Sequence, residues 1–390
     1  MSFGTLAVIV LAGLGGPLLG VLGRSFVPVV VGEILAGVLV GPAVLGAVHP
    51  AGATVSFLGE IGFAMLMLTV GMHLPLRDRR LAASAKEGAW LAALVCVLAL
   101  PGGLLAATVA GTGHAAVYAV VLASGSAAVL LPAFEELGLE SGTAMTVMAQ
   151  VAIADVITIL SVPIVLQPGR VGHAALGALL VAALAASLFA LARLVGSAEW
   201  IHRVRQLSKH RHWALDLRIS LLVLFLLSWV AQKGGTSVLI AGFGAGLMVA
   251  VIGGPKRLST QVRGVAEGFF IPLYFVVLGA RLDLAGLVHD PAMLALAAVL
   301  ALLNVAIHLL ASLLLGRGVA GALAATAQLG VPAAVASLGL SEHLLSPVVA
   351  TAIVASSLVS LAVCTLGVEM LARASAATAG AKAAGPQPAA

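Results

Sequence analysis

Charge is what this sequence has least of. Only 9% of its 390 residues are Asp, Glu, Lys or Arg, where a soluble domain carries about a quarter. With 61% of its residues hydrophobic, the chain cannot cover itself with polar surface. Its solvent must be lipid, which excludes an ordinary soluble enzyme or binding module. Cysteine is nearly absent too. Cys96 and Cys364 both lie inside apolar runs, which excludes a disulfide framework and a thiolate metal site. There is no Walker motif, no CxxC and no HExxH, and "GFGAG" at 242–246 is not a nucleotide loop. Aromatic residues make up 4%.

Glycine, by contrast, is abundant, at 45 residues. Small residues let transmembrane helices approach closely, and the pairs Gly37/Gly41 and Gly242/Gly246 read as packing motifs. Apolar runs long enough to span a bilayer (about 20 residues) fall near 3–23, 29–47, 54–74, 88–110, 114–131, 143–167, 171–197, 214–232, 236–253, 264–282, 292–316, 318–340 and 345–371. The expectation is an all-α polytopic membrane protein of about thirteen transmembrane helices. The first run lacks a positive n-region and reads as a retained helix, not a cleaved signal.

The placement of the basic residues orients these helices. Seventeen of the twenty Lys and Arg residues fall in the odd-numbered connections and the C-terminal tail. Arg170, Lys233 and Arg281 alone fall in the even ones. The positive-inside rule puts the odd connections in the cytoplasm, the N-terminus outside and the C-terminus inside. The expected location is the cell (inner or plasma) membrane. The expected organisation is a transmembrane domain over 1–372 and a disordered, low-complexity tail over 373–390. Within the domain, a first half (about 1–197) joins a second (about 214–372) through a basic cytoplasmic linker at 198–213. Its run "HRVRQLSKHRH" reads as a segment held at anionic headgroups and not as a nucleic-acid site.

Among the fifteen acids, Asp155 alone is at the centre of an apolar run, in "QVAIADVITIL" at 150–160. A charge at that depth costs roughly 2.5–3.5 kcal/mol, so the position calls for an ion, a proton or a partner. An intramembrane ionisable residue is by default a functional candidate. His308 is the one histidine deep in a span, with Asn304 one turn earlier on the same face. It is the candidate basic partner of Asp155. Asn304, Gln328 and Gln150 are candidate supporting polar residues.

Two spans carry helix-weakening residues. One is "ASGSAAVLLPAF" at 123–134, with Gly125 between Ser124 and Ser126, followed by Pro132. The other is "AQLGVPAAVASLG" at 327–339, with Gly330 and Pro332. Irregular backbone at membrane depth is tolerated only inside protein or beside a water-filled cavity. Paired interrupted helices in the two halves of a chain point to a transporter's binding site. Serine hydroxyls and freed carbonyls beside Asp155 would make an oxygen-lined cage suited to alkali cations and protons.

The stretches "VPVVVGEILAGVLVGPAVLG" at 27–46, "FLGEIGFAMLMLTVGMHLPL" at 57–76 and "FFIPLYFVVLGARLDL" at 269–284 resemble signatures of the monovalent cation:proton antiporter-2 family, the NapA/Kef-like sodium or potassium/proton exchangers. The resemblance covers nearly the whole membrane part. It implies inverted repeats forming a core domain with two broken, crossing helices and a dimerisation domain. It also implies a homodimer and elevator-type alternating access. Kef-like members carry a cytoplasmic nucleotide-binding domain after the last helix. No such domain follows here, so the chain looks closer to the NapA type. Asp155 matches the family's essential aspartate. Many members have an acid or a glutamine just before it, where this chain has Ala154. Members often carry a lysine nine residues before a helix-end arginine; counting back from Arg317 gives His308. In the family that acid and lysine are tied to electrogenic exchange, so their absence favours electroneutral exchange.

The expected function is thus exchange of Na+ or K+ for protons at Asp155, aided by Ser124 and Ser126. The partners are monovalent cations, protons and the lipid bilayer, with no cofactor beyond the transported ions and no nucleic acid. The alternative is a Kef-like cation channel or efflux protein, or an organic-solute transporter on the same fold. An intramembrane aspartyl protease needs two aspartates sharing a proton, and one deep aspartate is present.

Overall fold

A computed structural model describes residues 2–22, 28–74, 79–196, 211, 213–252 and 256–383. Apart from Arg211 and Trp213, the basic linker expected at 198–213 lies outside the described residues, as does 384–390.

Among the described residues every regular element is a helix. Among these residues ten helices are long and apolar enough to cross a membrane, and three shorter apolar helices, Val29–Val40, Val238–Ile252 and Gly330–Ser341, accompany them. Each matches one of the thirteen apolar runs. Large apolar side chains such as Leu100, Leu104, Leu179, Leu302 and Leu313 project from the surface, which is how a chain solvated by lipid presents itself. The chain is a multi-pass membrane protein.

The chain divides into two compact units. The first comprises Met1–Leu76, Ile159–Gly286 and Ala333–Thr351. Its helices include α1 (Phe3–Gly13), α2 (Gly15–Leu22), α3 (Val29–Val40) and α4 (Ala53–Met72), followed later by α9 (Val171–Gly196), α10 (Leu215–Lys233), α11 (Val238–Ile252), α12 (Lys256–Val265) and α13 (Ile271–Arg281). Both glycine pairs act as their spacing suggests. A Cβ on Gly37 would run into the Val276 carbonyl of α13, and one on Gly242 would sit 2.7 Å from the Ala64 carbonyl of α4. Backbone therefore packs directly on backbone, as small residues permit in lipid. A core of Ile9, Val48, Val55, Leu273, Val276 and Val277 fills the space between α1, α4 and α13. Between α12 and α13 lies a π-helical stretch, Ala266–Phe270. Pro272 explains it: without an N–H it forfeits a bond to the preceding turn, and the Ile271 N–H reaches the Ala266 carbonyl instead.

The second unit comprises Arg77–Thr158, Leu287–Pro332 and Ala352–Ala390. It holds α5 (Arg79–Ala110), α6 (Ala115–Ala123), α7 (Ala127–Glu136), α15 (Pro291–Leu314) and α16 (Val319–Ala324). It also holds most of α8 (Gly142–Leu166) and of α18 (Pro347–Ala383). The short α14 (Leu284–His289) and α17 (Gly330–Ser341) complete the chain. Helix α15 opens on Asp290–Pro291. The carboxylate of Asp290 accepts from the N–H groups of Ala292 and Met293, and proline costs nothing at the first helical position. Gly88 on α5 lets α8 approach so closely that a Cβ would lie 2.7 Å from the Gln150 N–H.

Two expectations need correction. The last helix runs through Ala383, into the stretch expected to be disordered from 373. That stretch is rich in alanine, the strongest helix former, and low complexity does not prevent a helix. The breaks in the two interrupted spans are also not at the prolines. They occupy 124–126 and 325–329. Pro132 sits inside α7, and Gly330 and Pro332 are the first and third residues of α17. In a helix's first turn the N–H groups have no intrahelical partner, so Pro332 begins a helix there and does not open one.

Candidate functional site

The site is built at the two breaks, both in the second unit. Helix α6 stops because a hydroxyl competes for its last carbonyls. Ser124 donates from Oγ to the Val121 carbonyl at 2.7 Å, and its backbone N–H reaches the same oxygen at 3.1 Å. Ser124 then turns extended, with ψ 152°. Helix α16 ends in the same way. Thr326 donates from Oγ1 to the Leu323 carbonyl at 2.7 Å, with its N–H at 3.2 Å.

The two breaks differ in how their freed groups are satisfied. At the first, α7 begins with Ala127, and Ser126 makes no side-chain cap. The cap comes from another helix: the Ala127 N–H donates to Oδ2 of Asp155, on α8, at 2.9 Å. A helix N-terminus carries unsatisfied N–H groups and the positive end of the helix dipole, so it favours an anion. Asp155 is 1% exposed, Ser124 0% and Ser126 2%, so the carboxylate has this contact in place of bulk water. Gly125 brings the break against α8: a Cβ there would lie 2.7 Å from a Val151 methyl. One turn beyond Asp155, Thr158 donates to the Ala154 carbonyl at 2.7 Å. Both Ser124 and Thr158 thus direct their protons to backbone, leaving oxygen lone pairs as the groups a cation could use. Asp155 has one carboxylate oxygen beyond the one held by Ala127.

At the second break the polar groups engage each other. Gln328 donates from Nε2 to the Val121 carbonyl at 2.7 Å and to Asn304 Oδ1 at 3.0 Å. Asn304 donates from Nδ2 to the Thr326 carbonyl at 3.1 Å and to Ser360 Oγ at 2.9 Å. Ser360 in turn donates to the Ser356 carbonyl. All four donor hydrogens of the two amides are used. His308 donates from Nδ1 to the Asn304 carbonyl at 2.9 Å, one turn back on its own helix.

The structure therefore brings Asp155 to the serine-bearing break and wires Asn304 and Gln328 to that same break through Val121. It does not hydrogen-bond His308 to Asp155. The i, i+4 spacing of Asn304 and His308 gives the ring a backbone acceptor on its own helix, and that local bond takes precedence. Gln150 is buried on α8, at the close approach to α5. Sequence reading missed Thr158, Thr326, Ser360 and the Val121 carbonyl. Thr326 had a signal: a hydroxyl just past the end of an apolar helix, as at Ser124 in the other break. Ser360 had none, since a serine in an apolar helix bonds its own backbone by default. At the edge of the same unit, Glu87 meets Arg317 at 2.6 Å and accepts from Thr146 at 3.2 Å.

Among the described residues no group of three His, Cys, Asp or Glu side chains converges. The oxygen donors at the first break, a single carboxylate with hydroxyls and carbonyls, suit a hard monovalent ion. A cavity of about 360 Å³ in the first unit is lined by Glu60, Gln232, Thr236, Arg281 and Glu342 among others. Asp155 is not part of it.

Two interrupted helices, one of them capped by a buried carboxylate, point to a class of protein, the ion-coupled membrane transporters. Residues 6–374 match the family described as sodium/hydrogen exchanger, transmembrane, and the chain belongs to that family. It is a transporter and not an enzyme. The resemblance read from the sequence is borne out. The chain is 26% identical over 265 residues to a Na(+)/H(+) antiporter of Enterococcus hirae, covering 67% of this chain and 68% of that protein. It is 24% identical over 264 residues to the Na(+)/H(+)-K(+) antiporter GerN of Bacillus cereus, covering 67% of each. Its fold is that of the sodium proton antiporter MjNhaP1 of Methanocaldococcus jannaschii, with a TM-score of 0.62 at 18% identity, over 95% of this chain and 98% of that one.

Proposed function

We propose that the chain exchanges a monovalent cation, Na+ or K+, for protons, and that both compete for the Asp155 carboxylate. The observation that carries this reading is the contact of buried Asp155 with the N–H of Ala127 at the start of a broken helix. The N-terminus offers the empty carboxylate a fixed positive dipole. The second carboxylate oxygen, with Ser124, Ser126 and freed carbonyls, receives the cation. A proton displaces it.

Transport is governed by cost. A bare carboxylate crossing the bilayer is expensive, so the carrier moves only with Asp155 neutralised by one ligand or the other. Exchange then needs no further gate. With Ala154 before Asp155, one acid carries one charge, and the exchange is electroneutral. Movement is of the elevator type, in a homodimer. The protein sits in the cell membrane with its N-terminus outside and its C-terminus in the cytoplasm, as the distribution of its basic residues supports. His308 acts on the break through Asn304 and not as an ion partner of Asp155.

The test is cation-driven collapse of a pH gradient in proteoliposomes, with sodium and potassium compared and the membrane potential clamped or free. Exchange by wild type that is lost in Asp155→Asn is expected. Undiminished exchange by that variant, or single-channel currents, would sink the reading.

A further inference from the structure

The Val121 carbonyl accepts three hydrogen bonds, from the Ser124 N–H, the Ser124 hydroxyl and Gln328 Nε2. The first two are local and come with the helix end. The third comes from 207 residues away in the chain. Gln328 is 1% exposed, and its second donor hydrogen is held by Asn304, which is itself fixed to α18 through Ser360. Five connected bonds of 2.7–3.1 Å thus run from the carbonyl that ends α6 to the backbone of α18 and to the Thr326 carbonyl of the second break. Six residues past Val121 is Ala127, whose N–H holds Asp155.

We propose that Gln328 is a positioning residue for the ion site. Its hydrogen bonds go to Val121 and Asn304 and not to Asp155. By pinning the Val121 carbonyl it sets where the 124–126 segment lies, and so how well the Ala127 N–H and the Ser124 oxygen are placed around the carboxylate. A buried amide does this where a carboxylate could not, because two donors are needed, one for each carbonyl-type oxygen it meets. An ionised residue at the same place would also add a charge that competes with the one Asp155 supplies. The chain therefore sets its cation affinity from the second break while confining the titrating chemistry to the first.

This rests on the antiport reading, and the experiment separates the two. Gln328→Met keeps side-chain length and removes both donors. Gln328→Asn keeps the amide but falls one methylene short of spanning Val121 and Asn304. Each is compared with wild type and with Ser357→Ala, a buried hydroxyl on α18 that bonds only its own helix. Two quantities are read: deuterium uptake by the amides of 121–128 in the purified protein, and the KM and Vmax for sodium-driven exchange in proteoliposomes. Both Gln328 variants should raise uptake across 121–128 severalfold. They should raise KM about tenfold, which corresponds to ~1.4 kcal/mol, with Vmax within about twofold. Ser357→Ala should change neither. Unchanged uptake in both Gln328 variants overturns the proposal, as does raised uptake with unchanged KM, or a fall in Vmax alone. Wild-type vesicles that exchange nothing would sink the antiport reading instead, and Gln328's positioning role would then stand or fall on the uptake alone.

Discussion

The two broken spans begin alike and end differently. Each stops its first helix with a hydroxyl and an N–H on the carbonyl three residues back, Ser124 on Val121 and Thr326 on Leu323. Beyond that point the 124–126 break leaves its helix start to be capped by a distant carboxylate. The 325–329 break satisfies itself with Asn304, Gln328 and Ser360. The same local device therefore serves two purposes. Where the freed backbone meets a single acid, the result is the site proposed to exchange cation and proton. Where it meets neutral amides whose donors are all used, the result is scaffolding, because a fully satisfied buried network rigidifies its surroundings.

The sharpest way to break this comparison is Asp155→Asn. It preserves shape and an acceptor for Ala127, yet removes the titrating charge. Cation-driven proton movement should fall below detection in proteoliposomes while the purified protein keeps its thermal stability. A variant that unfolds would mean that Asp155 is scaffolding as well.

Next in size are glycine substitutions at the two breaks. A Cβ on Gly367 would run into the backbone of Leu323 and Ala324 at the end of α16, whereas one on Gly125 meets first a Val151 side-chain carbon and the Val151 backbone only at 3.1 Å. Gly367→Ala should therefore destabilise by about 1–3 kcal/mol, the usual cost of overpacking, read as a lower melting temperature. Gly125→Ala should cost less stability and more transport. The reverse order would show that the second break is not the rigid one.

The pH dependence is a competition between ligands. Lowering the pH raises the fraction of protonated Asp155, so the apparent KM for sodium should rise, by at most about tenfold per unit for a single site with one bound proton. Vmax at saturating sodium should stay nearly constant. A KM that is flat between acid and neutral pH would mean that cation and proton do not share the carboxylate.

The smallest expected effect separates the matched hydroxyls. Ser124→Ala removes the hydroxyl's bond to the Val121 carbonyl, and Thr326→Val removes the bond to Leu323 together with a longer one to the Ser360 carbonyl at 3.3 Å; each should cost roughly 1 kcal/mol of stability. Only Ser124→Ala should also raise the KM for sodium, because of the two hydroxyls only Ser124's is at the break capped by Asp155, where the cation is proposed to bind. Equal kinetic effects would merge the two roles.

Much of this was open to view in the chain alone. The acid at 155 stands out because its neighbours are apolar, and the serine break because glycine and serine interrupt a span. The prolines misled. Pro132 and Pro332 are conspicuous, yet one lies within α7 and the other in the first turn of α17, where a missing N–H opens nothing. His308 misled in another way. It is the one deep basic candidate, but its bond is to Asn304 on its own helix. A pairing between helices cannot be read from the rarity of the partners.

The sequence by itself determined the solvent, the number of apolar segments, the uneven placement of its basic residues and the single carboxylate that membrane burial makes consequential. Those are sums and positions along one chain, set by transfer free energies that each residue carries with it. Only the tertiary structure decided that Asp155 caps α7 at Ala127, and that Gln328 reaches Val121 across 207 residues. A hydrogen bond depends on distance and direction to within a few tenths of an ångström, and only the packing of helices, glycine against backbone, brings such distant groups within that range.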